Sequence, residues 1–270
     1  MKAEAQESGI LTSILQETRA RMSGRSLERP EWERLAARAQ PAPSFAKALA
    51  GATVGLIGEV KRRSPSAGAI NEGADAATLA RSYADAGAAA ISVLTDEKRF
   101  GGSIDDLQKV ARIVGLPTLR KDFIVDPIQV LEARAVGAAA ILLIARALSA
   151  EELASLAELA HKIGLATLVE VHSAGELAAA AGVNPTMIGV NARDLDTLAM
   201  DPSIPSGLLP NVPPGIIAVA ESGLRTRADV ERVAAAGADA VLVGAALAGA
   251  ADAGSAVKAL VGVSKQRAAK

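Results

Sequence analysis

Hydrophobic positions follow two different patterns along the chain. Before residue 53 they recur at helical spacing: Ile10, Leu11, Ile14 and Leu15 predict an amphipathic helix over Gly9 to Met22. Pro30 suits the first turn of a second helix over Pro30 to Arg38, and Ser44 to Leu49 reads as one more turn. From Thr53 onward an apolar run, a polar turn, an Ala/Leu-rich stretch and a glycine repeat in that order. The apolar runs predict strands at Val54 to Lys61, Ala89 to Thr95, Pro117 to Asp122, Ala139 to Ala145, Ala166 to Val171, Met187 to Asn191, Gly215 to Glu221 and Ala238 to Val243. The stretches between them predict helices at Ala74 to Ala86, Ile104 to Val114, Pro127 to Val136, Ala150 to Ile163, Ala174 to Ala181, Pro202 to Leu209 and Arg227 to Ala236, with Ala251 to Val261 closing. Gly87, Gly115, Gly137, Gly164, Gly182 and Gly237 stand where left-handed caps would stop these helices.

Strands that are apolar almost throughout and alternate with helices imply a parallel sheet covered on its outer face. Eight such units predict an α/β fold, a closed (β/α)8 TIM barrel over residues 53–270, with residues 1–52 as an N-terminal helical extension packed on it. An open doubly wound sheet is the alternative. Against it, the first strand runs into Arg62-Arg63-Ser64-Pro65-Ser66 rather than a Gly-x-Gly-x-x-Gly turn.

Composition narrows the chemistry. The chain has 270 residues, no cysteine and two histidines, His161 and His172, so thiolate chemistry, disulfides and histidine-rich metal clusters are excluded. A net charge of -1 argues against a general nucleic-acid or membrane-surface binder. The stretch Met1 to Gly9 lacks the apolar core of a signal peptide, and no charge-free apolar stretch reaches spanning length, so the cytoplasm is the expected location. Aromatics make up only 2% of the chain, which draws attention to any Phe near a pocket.

Charge at the strand ends is the anomaly. Glu59 and Lys61 are two apart at the end of an apolar strand and leave it on one face. A surface ion pair would look the same taken alone. In a barrel, however, all the strand ends meet on one rim. They read Glu59 and Lys61, Thr95, Lys121, Arg146, Glu170, Asn191 with Arg193, Glu221 with Ser222, and Gly244. The first, third and fifth strands end in Glu/Lys, Lys and Glu, and odd strands share interior layers. A solvated rim would also be polar, but this recurrence favours a site. The glycines of Glu221-Ser222-Gly223 and Gly244-Ala245-Ala246 would let backbone N–H groups face an anion.

These segments together resemble indole-3-glycerol phosphate synthase. The likeness rests on Glu59-Val60-Lys61, Ser64-Pro65-Ser66-x-Gly68, Ser92 to Asp96, Phe100 to Ser103, Leu119-Arg120-Lys121-Asp122-Phe123-Ile124, Gln129, Glu132-Ala133-Arg134, Leu142 to Ile144, Leu168 to His172, Gly189 to Leu195 and Glu221-Ser222-Gly223. The resemblance implies a carboxy-lyase of tryptophan biosynthesis that closes the indole pyrrole ring. Its substrate would be 1-(2-carboxyphenylamino)-1-deoxyribulose 5-phosphate and its products indole-3-glycerol phosphate, carbon dioxide and water. It implies no cofactor and no metal. By that resemblance Lys121 is the general acid at the ketone oxygen and Glu170 the general base. Lys61 serves the departing hydroxyl and the substrate's anionic groups, and Glu59 and Glu221 orient the lysines. Asn191 binds a hydroxyl and Arg193 the substrate carboxylate. Ser64, Ser222, Gly223, Gly244 and Ala245 hold the phosphate, and Phe100 and Phe123 wall the aromatic ring.

The chain departs from the family pattern at Ala245, where many relatives carry serine, and at Ile128, where a tyrosine is frequent. His172, just after Glu170, is read as packing, with support of the residues that touch substrate as the alternative, and His161 is read as surface. The small-molecule substrate is the expected partner, and a monofunctional monomer is expected, with weak self-association left open. The rivals are an Amadori-type sugar-phosphate isomerase, whose acid/base pair is missing from the first strand end, and an inactive barrel kept for binding or assembly.

Overall fold

The structure, a computed structural model, describes residues 9–64, 68–71 and 73–266. Among them, eight parallel strands close into a barrel: β1 Gly55–Val60, β2 Ala90–Leu94, β3 Thr118–Lys121, β4 Ala140–Ile144, β5 Ala166–Val171, β6 Met187–Asn191, β7 Ile217–Glu221 and β8 Ala240–Val243. Each strand pairs with its chain neighbours, and β8 closes the ring on β1 through Gly55↔Ala240 and Gly58↔Val243. The alternation of apolar runs and helices therefore does produce the closed barrel, and the open sheet is overturned.

The outer layer consists of α4 Ala76–Asp85, α6 Ile104–Ile113, α7 Pro127–Ala135, α8 Ala150–Lys162, α9 Ala174–Gly182, α10 Ser203–Leu208, α11 Arg227–Ala235 and α13 Ala253–Leu260. Side-chain caps start most of them: Asp75, Ser103, Asp126, Ser149, Ser173, Thr226 and Asp252 each accept a hydrogen bond from a first-turn N–H. Two short helices lie in the connections, α5 Glu97–Phe100 after β2 and α12 Ala245–Ala248 after β8. Neither α5 nor the short antiparallel pairing of Arg63–Ser64 with Gly68–Ala69 is predicted by the periodicity, because each is too short to show one. The predicted cap at Gly182 is corrected: that glycine is the last residue of α9, and Asn184 takes the left-handed turn at φ 49°.

Three helices precede β1: α1 Ile10–Met22, α2 Arg29–Arg38 and α3 Phe45–Ala48. Below the barrel, Phe45 and Leu49 are buried, and Leu49 sits so close to the start of β1 that a Cβ on Gly55 would meet it at 2.4 Å. Above the barrel, α1 lies against the rim loops. Glu17 pairs with Lys98 and Arg99 of α5, Arg19 with Glu152 at the start of α8, and Gly9 abuts Asp196 after β6. Leu11 and Ile14 join an apolar cluster with Phe123 and Ala147. Inside the barrel Ile57, Leu119, Leu168 and Val219 from β1, β3, β5 and β7 form a fully buried layer. Two residues further along each of these strands stand Glu59, Lys121, Glu170 and Glu221.

Candidate active site

Strand alternation places those four side chains on one floor. Because residues i and i+2 share a face, each follows an inward-facing apolar residue and must also point inward. Their helix-side neighbours fill the outer core, so the charges have nowhere else to go. Lys121 Nζ stands 3.3 Å from Glu170 Oε2 and 3.6 Å from Glu221 Oε2. Lys61, just past the end of β1, turns back to place Nζ 2.9 Å from Glu59 Oε1. Glu170 and Glu221 are 1% and 2% exposed, so these are buried charges rather than a solvated rim.

Two glycines make the arrangement possible. A Cβ on Gly189 would lie 1.9 Å from Glu221 Oε1, and one on Gly244 would lie 2.3 Å from Glu59 Oε1. Gly244, predicted from the sequence as an anion contact, makes room for the Glu59 carboxylate. Asn191 Oδ1 accepts from the Arg193 backbone N–H at 2.9 Å, which turns its Nδ2 onto Glu170 Oε1 at 3.0 Å. Glu170 is thus fixed through both oxygens.

Burial pushes every carboxyl in this group toward its neutral form, and the neighbouring charges decide the outcome. For Glu59 the ammonium groups of Lys61 and Lys121 outweigh burial and hold it below the usual carboxylate range. Burial also opposes ionisation of Glu170. Lys121, then His172, then the Asn191 hydrogen bond overcome it, so Glu170 is lowered as well. Glu221 goes the other way. Burial, opposed by Lys121 but reinforced by Glu170 and Glu59, pushes it up to about 8. Lys121 is desolvated, yet Glu170, Glu221 and Glu59 hold it well above the ordinary lysine range. At neutral pH the floor therefore sets the Lys121 ammonium and two carboxylates beside one neutral carboxyl.

Around this floor the other sequence-predicted residues take separate places. Phe100 and Phe123 stack with ring centroids 6.4 Å apart and 24° between planes, and Lys61 Nζ is 5.7 Å from the Phe100 centroid. Ser222 and Gly223 both have left-handed backbone, at φ 66° and 74°. Gly244 precedes α12, whose first residue is Ala245. Arg193 spends one N–H on the Leu198 carbonyl at 2.8 Å, which folds the loop after β6 back on itself. Ser64 lies in the short antiparallel pair after β1, while Pro65 and Ser66 of the predicted phosphate-side loop lie outside the described residues. His161 is exposed and bonds Thr167 Oγ1 at 3.1 Å.

A family model described as indole-3-glycerol phosphate synthase matches residues 11–260. The chain belongs to the indole-3-glycerol phosphate synthase family. A protein of that name from Mycolicibacterium smegmatis is 46% identical over 254 residues, 93% of each chain. Others from Mycolicibacterium vanbaalenii and Rhodococcus opacus are 48% and 47% identical, over 93% of this chain and 93% and 94% of theirs. Among solved structures, 3-hexulose-6-phosphate synthase from Salmonella typhimurium superposes with a TM-score of 0.60 at 14% identity, covering 77% of this chain and 96% of that one. At that identity the likeness is one of fold. Membership of the family makes the chain a carboxy-lyase of tryptophan biosynthesis. Among the described residues no helix is long and apolar enough to cross a membrane.

Some members of the site escape sequence reading. Arg146, visible only as one more polar strand end, bonds Glu176 Oε1 and Asp194 Oδ2, each at 3.0 Å. Glu176 in turn receives the His172 backbone N–H at 2.8 Å. Ser173 caps α9, and a glutamate three residues after a cap is the available signal for Glu176. Nothing in the spacing shows that Glu176 meets Arg146 and His172.

Proposed function

We propose that Lys121 and Glu170 are the principal acid and base of the family's reaction on 1-(2-carboxyphenylamino)-1-deoxyribulose 5-phosphate. The observation that carries this reading is their contact at 3.3 Å, with the lysine held protonated by Glu170, Glu221 and Glu59 and the carboxyl held ionised by Lys121, His172 and Asn191. Each is already in the form its step requires.

In the first step an aromatic ring carbon attacks the substrate ketone and negative charge grows on the ketone oxygen. The Lys121 ammonium, desolvated and aimed from β3, donates its proton there. Carbon dioxide then leaves from the ring carbon that carried the carboxylate, restoring electrons to the ring system. In the last step a hydroxyl departs and a proton is lost. Glu170 takes that proton, and Lys61, steered by Glu59, protonates the departing hydroxyl. Glu221 stays neutral near pH 7, so the full negative charges facing Lys121 are those of Glu170 and Glu59.

Binding surrounds this centre. The stacked Phe100 and Phe123 rings form an apolar wall for the anthranilate ring. Arg193 offers its remaining N–H donors to the ring carboxylate. The backbone amides of Gly223, Gly244 and Ala245, with Ser64 and Ser222, hold the phosphate. Asn191 retains a second amide hydrogen for a substrate hydroxyl. Ala245 contributes only its backbone N–H, so the loss relative to a serine falls on KM rather than on turnover. The substrate is a free small molecule, and the chain works as a cytoplasmic monomer in which the helices of residues 9–52 form an extension packed on the barrel.

Steady-state assay of indoleglycerol fluorescence tests the reading. Lys121→Ala should reduce kcat by roughly a hundredfold or more, the range of a lost general acid. Turnover of the variant equal to that of the unaltered chain would defeat the assignment.

A further inference from the structure

The proposed reaction gives His172 no task, although its buried ring is wedged between two carboxylates. Nδ1 is 3.3 Å from Glu176 Oε2, and Nε2 is 3.6 Å from Glu170 Oε1. Glu176 is ionised and can only accept. Its carboxyl is drawn down to about 2, against burial, by the side-chain and backbone N–H groups of His172 and by Arg146. Nδ1 therefore carries a hydrogen. Nε2 is buried and has no partner at hydrogen-bond distance among the described residues. If it were bare, its lone pair would face the anionic oxygen of Glu170 in a site that water does not reach. That is a doubly unfavourable arrangement.

The surrounding elements fix the sign. From the loop after β6, Asp194 pairs with Arg146 at 3.0 Å, and Arg146, at the end of β4, pairs with Glu176 of α9 at 3.0 Å. Glu176 meets His172, His172 meets Glu170 on its own strand, and Glu170 meets Lys121 of β3 at 3.3 Å. From β6, Asn191 adds a neutral N–H to the same Glu170 oxygen that His172 faces. Charge alternates along this line only when the imidazole is positive.

We infer that His172, protonated on both ring nitrogens, is the positioning residue of the general base: its positive ring, with Nε2 3.6 Å from Glu170 Oε1, gives that oxygen a charged partner and favours the carboxylate form. The inference rests on Glu170 being the base. It gives the Arg146–Glu176 pair a purpose at the site, since that pair fixes the imidazole from behind.

Two measurements test it. The chain has only two histidines, so 15N spectra of histidine-labelled protein are readily assigned with His161→Asn. At pH 7 both ring nitrogens of His172 should be protonated, and a ring with a bare Nε2 overturns the inference. In the pH profile of kcat, His172→Phe should move the acid limb to higher pH. It should also lower kcat at pH 7 by roughly tenfold through a displaced and less ionised Glu170, with KM changing by less than about threefold. His172→Gln, which returns a neutral N–H donor, should restore part of both. An acid limb that stays in place or moves to lower pH overturns the inference. Should the phenylalanine variant not fold, the glutamine variant and the spectra decide. Glu170→Gln separates the two readings. If it keeps full turnover, the base assignment fails whatever the state of the ring. If it is inactive while Nε2 is bare, the positioning role alone fails.

Discussion

Glu59, Glu170 and Glu221 are the same residue type on one floor, yet each has a different set of opposing charges, and this separates their protonation states. Glu59 has Lys61 at 2.9 Å, Glu170 has Lys121 at 3.3 Å, and Glu221 has only a share of that same lysine at 3.6 Å. Glu221 is consequently the group that keeps its proton. With its folded value near 8 and an unfolded value near 4.5, the native state binds a proton that the unfolded chain has released across that window. Stability must therefore fall as pH rises between the two values, by up to about 1.4 kcal/mol per pH unit. Glu221→Gln should lose this part of the slope, which denaturant unfolding from pH 5 to 8 will read; identical slopes in both proteins would contradict it. Gly244 offers a second test at this scale. Its φ of -119° suits any residue, but an added Cβ would strike the Glu59 carboxylate. Gly244→Ala should thus lower kcat, by roughly tenfold, through a displaced Glu59. A rise in KM alone would limit Gly244 to phosphate binding. The buried charges were legible in the sequence because an apolar strand ending in Glu or Lys is costly without a partner. The neutral state of Glu221 and the wedged His172 were not, because both depend on which side chain faces them from another strand.

At the scale of the element, β3 shows how one run of residues serves both faces of the barrel wall. Lys121 points inward, while Arg120 and Asp122 on either side of it point into the layer beneath the helices. Arg120 is 4% exposed and reaches Asp122 at 2.9 Å, Glu132 of α7 at 2.9 Å and the Gln129 carbonyl at 2.6 Å. Arg25, between α1 and α2, adds a second cation to Glu132 at 2.7 Å. The same cluster holds the loop that carries Phe123: Asp122 accepts its backbone N–H, and Gln129 donates to its carbonyl. Removing Arg120 would leave Asp122 without its cation and Glu132 dependent on Arg25. Arg120→Ala should therefore cost about 3–5 kcal/mol in unfolding free energy; a loss below about 1 kcal/mol would show that the network adds little. The Arg-Lys-Asp-Phe segment was visible as a motif, and alternation alone assigns its faces. That Arg120 would be satisfied by α7 could not be read from spacing, because the register of helix against strand is set by packing. Asn184 likewise replaced Gly182 as the left-handed residue because α9 runs on to the glycine before it turns.

Across the whole molecule, the barrel sets the heights of the functional side chains and the leading helices close its ends. Parallel pairing places Asn191 opposite Glu221 and Gly189 opposite Glu170. These registers bring residues far apart in sequence onto one floor. The closed fold was legible because all eight strands are long enough to show their apolar runs and each is followed by a helical stretch. The way α1 reaches over the rim, through Glu17, Arg19 and Gly9, was not, since its polar face matches that of any exposed helix. The match over residues 11–260 agrees with this geometry, because the family pattern runs through both the leading helices and the barrel. The central claim is that the ionised Glu170 removes the last proton while other groups bind the substrate. Steady-state kinetics of Glu170→Gln on 1-(2-carboxyphenylamino)-1-deoxyribulose 5-phosphate test it most directly. The expected result is a kcat lowered by about a hundredfold or more, with substrate affinity held within about tenfold, roughly 1.4 kcal/mol. Retained turnover, or a loss confined to substrate binding, would contradict it.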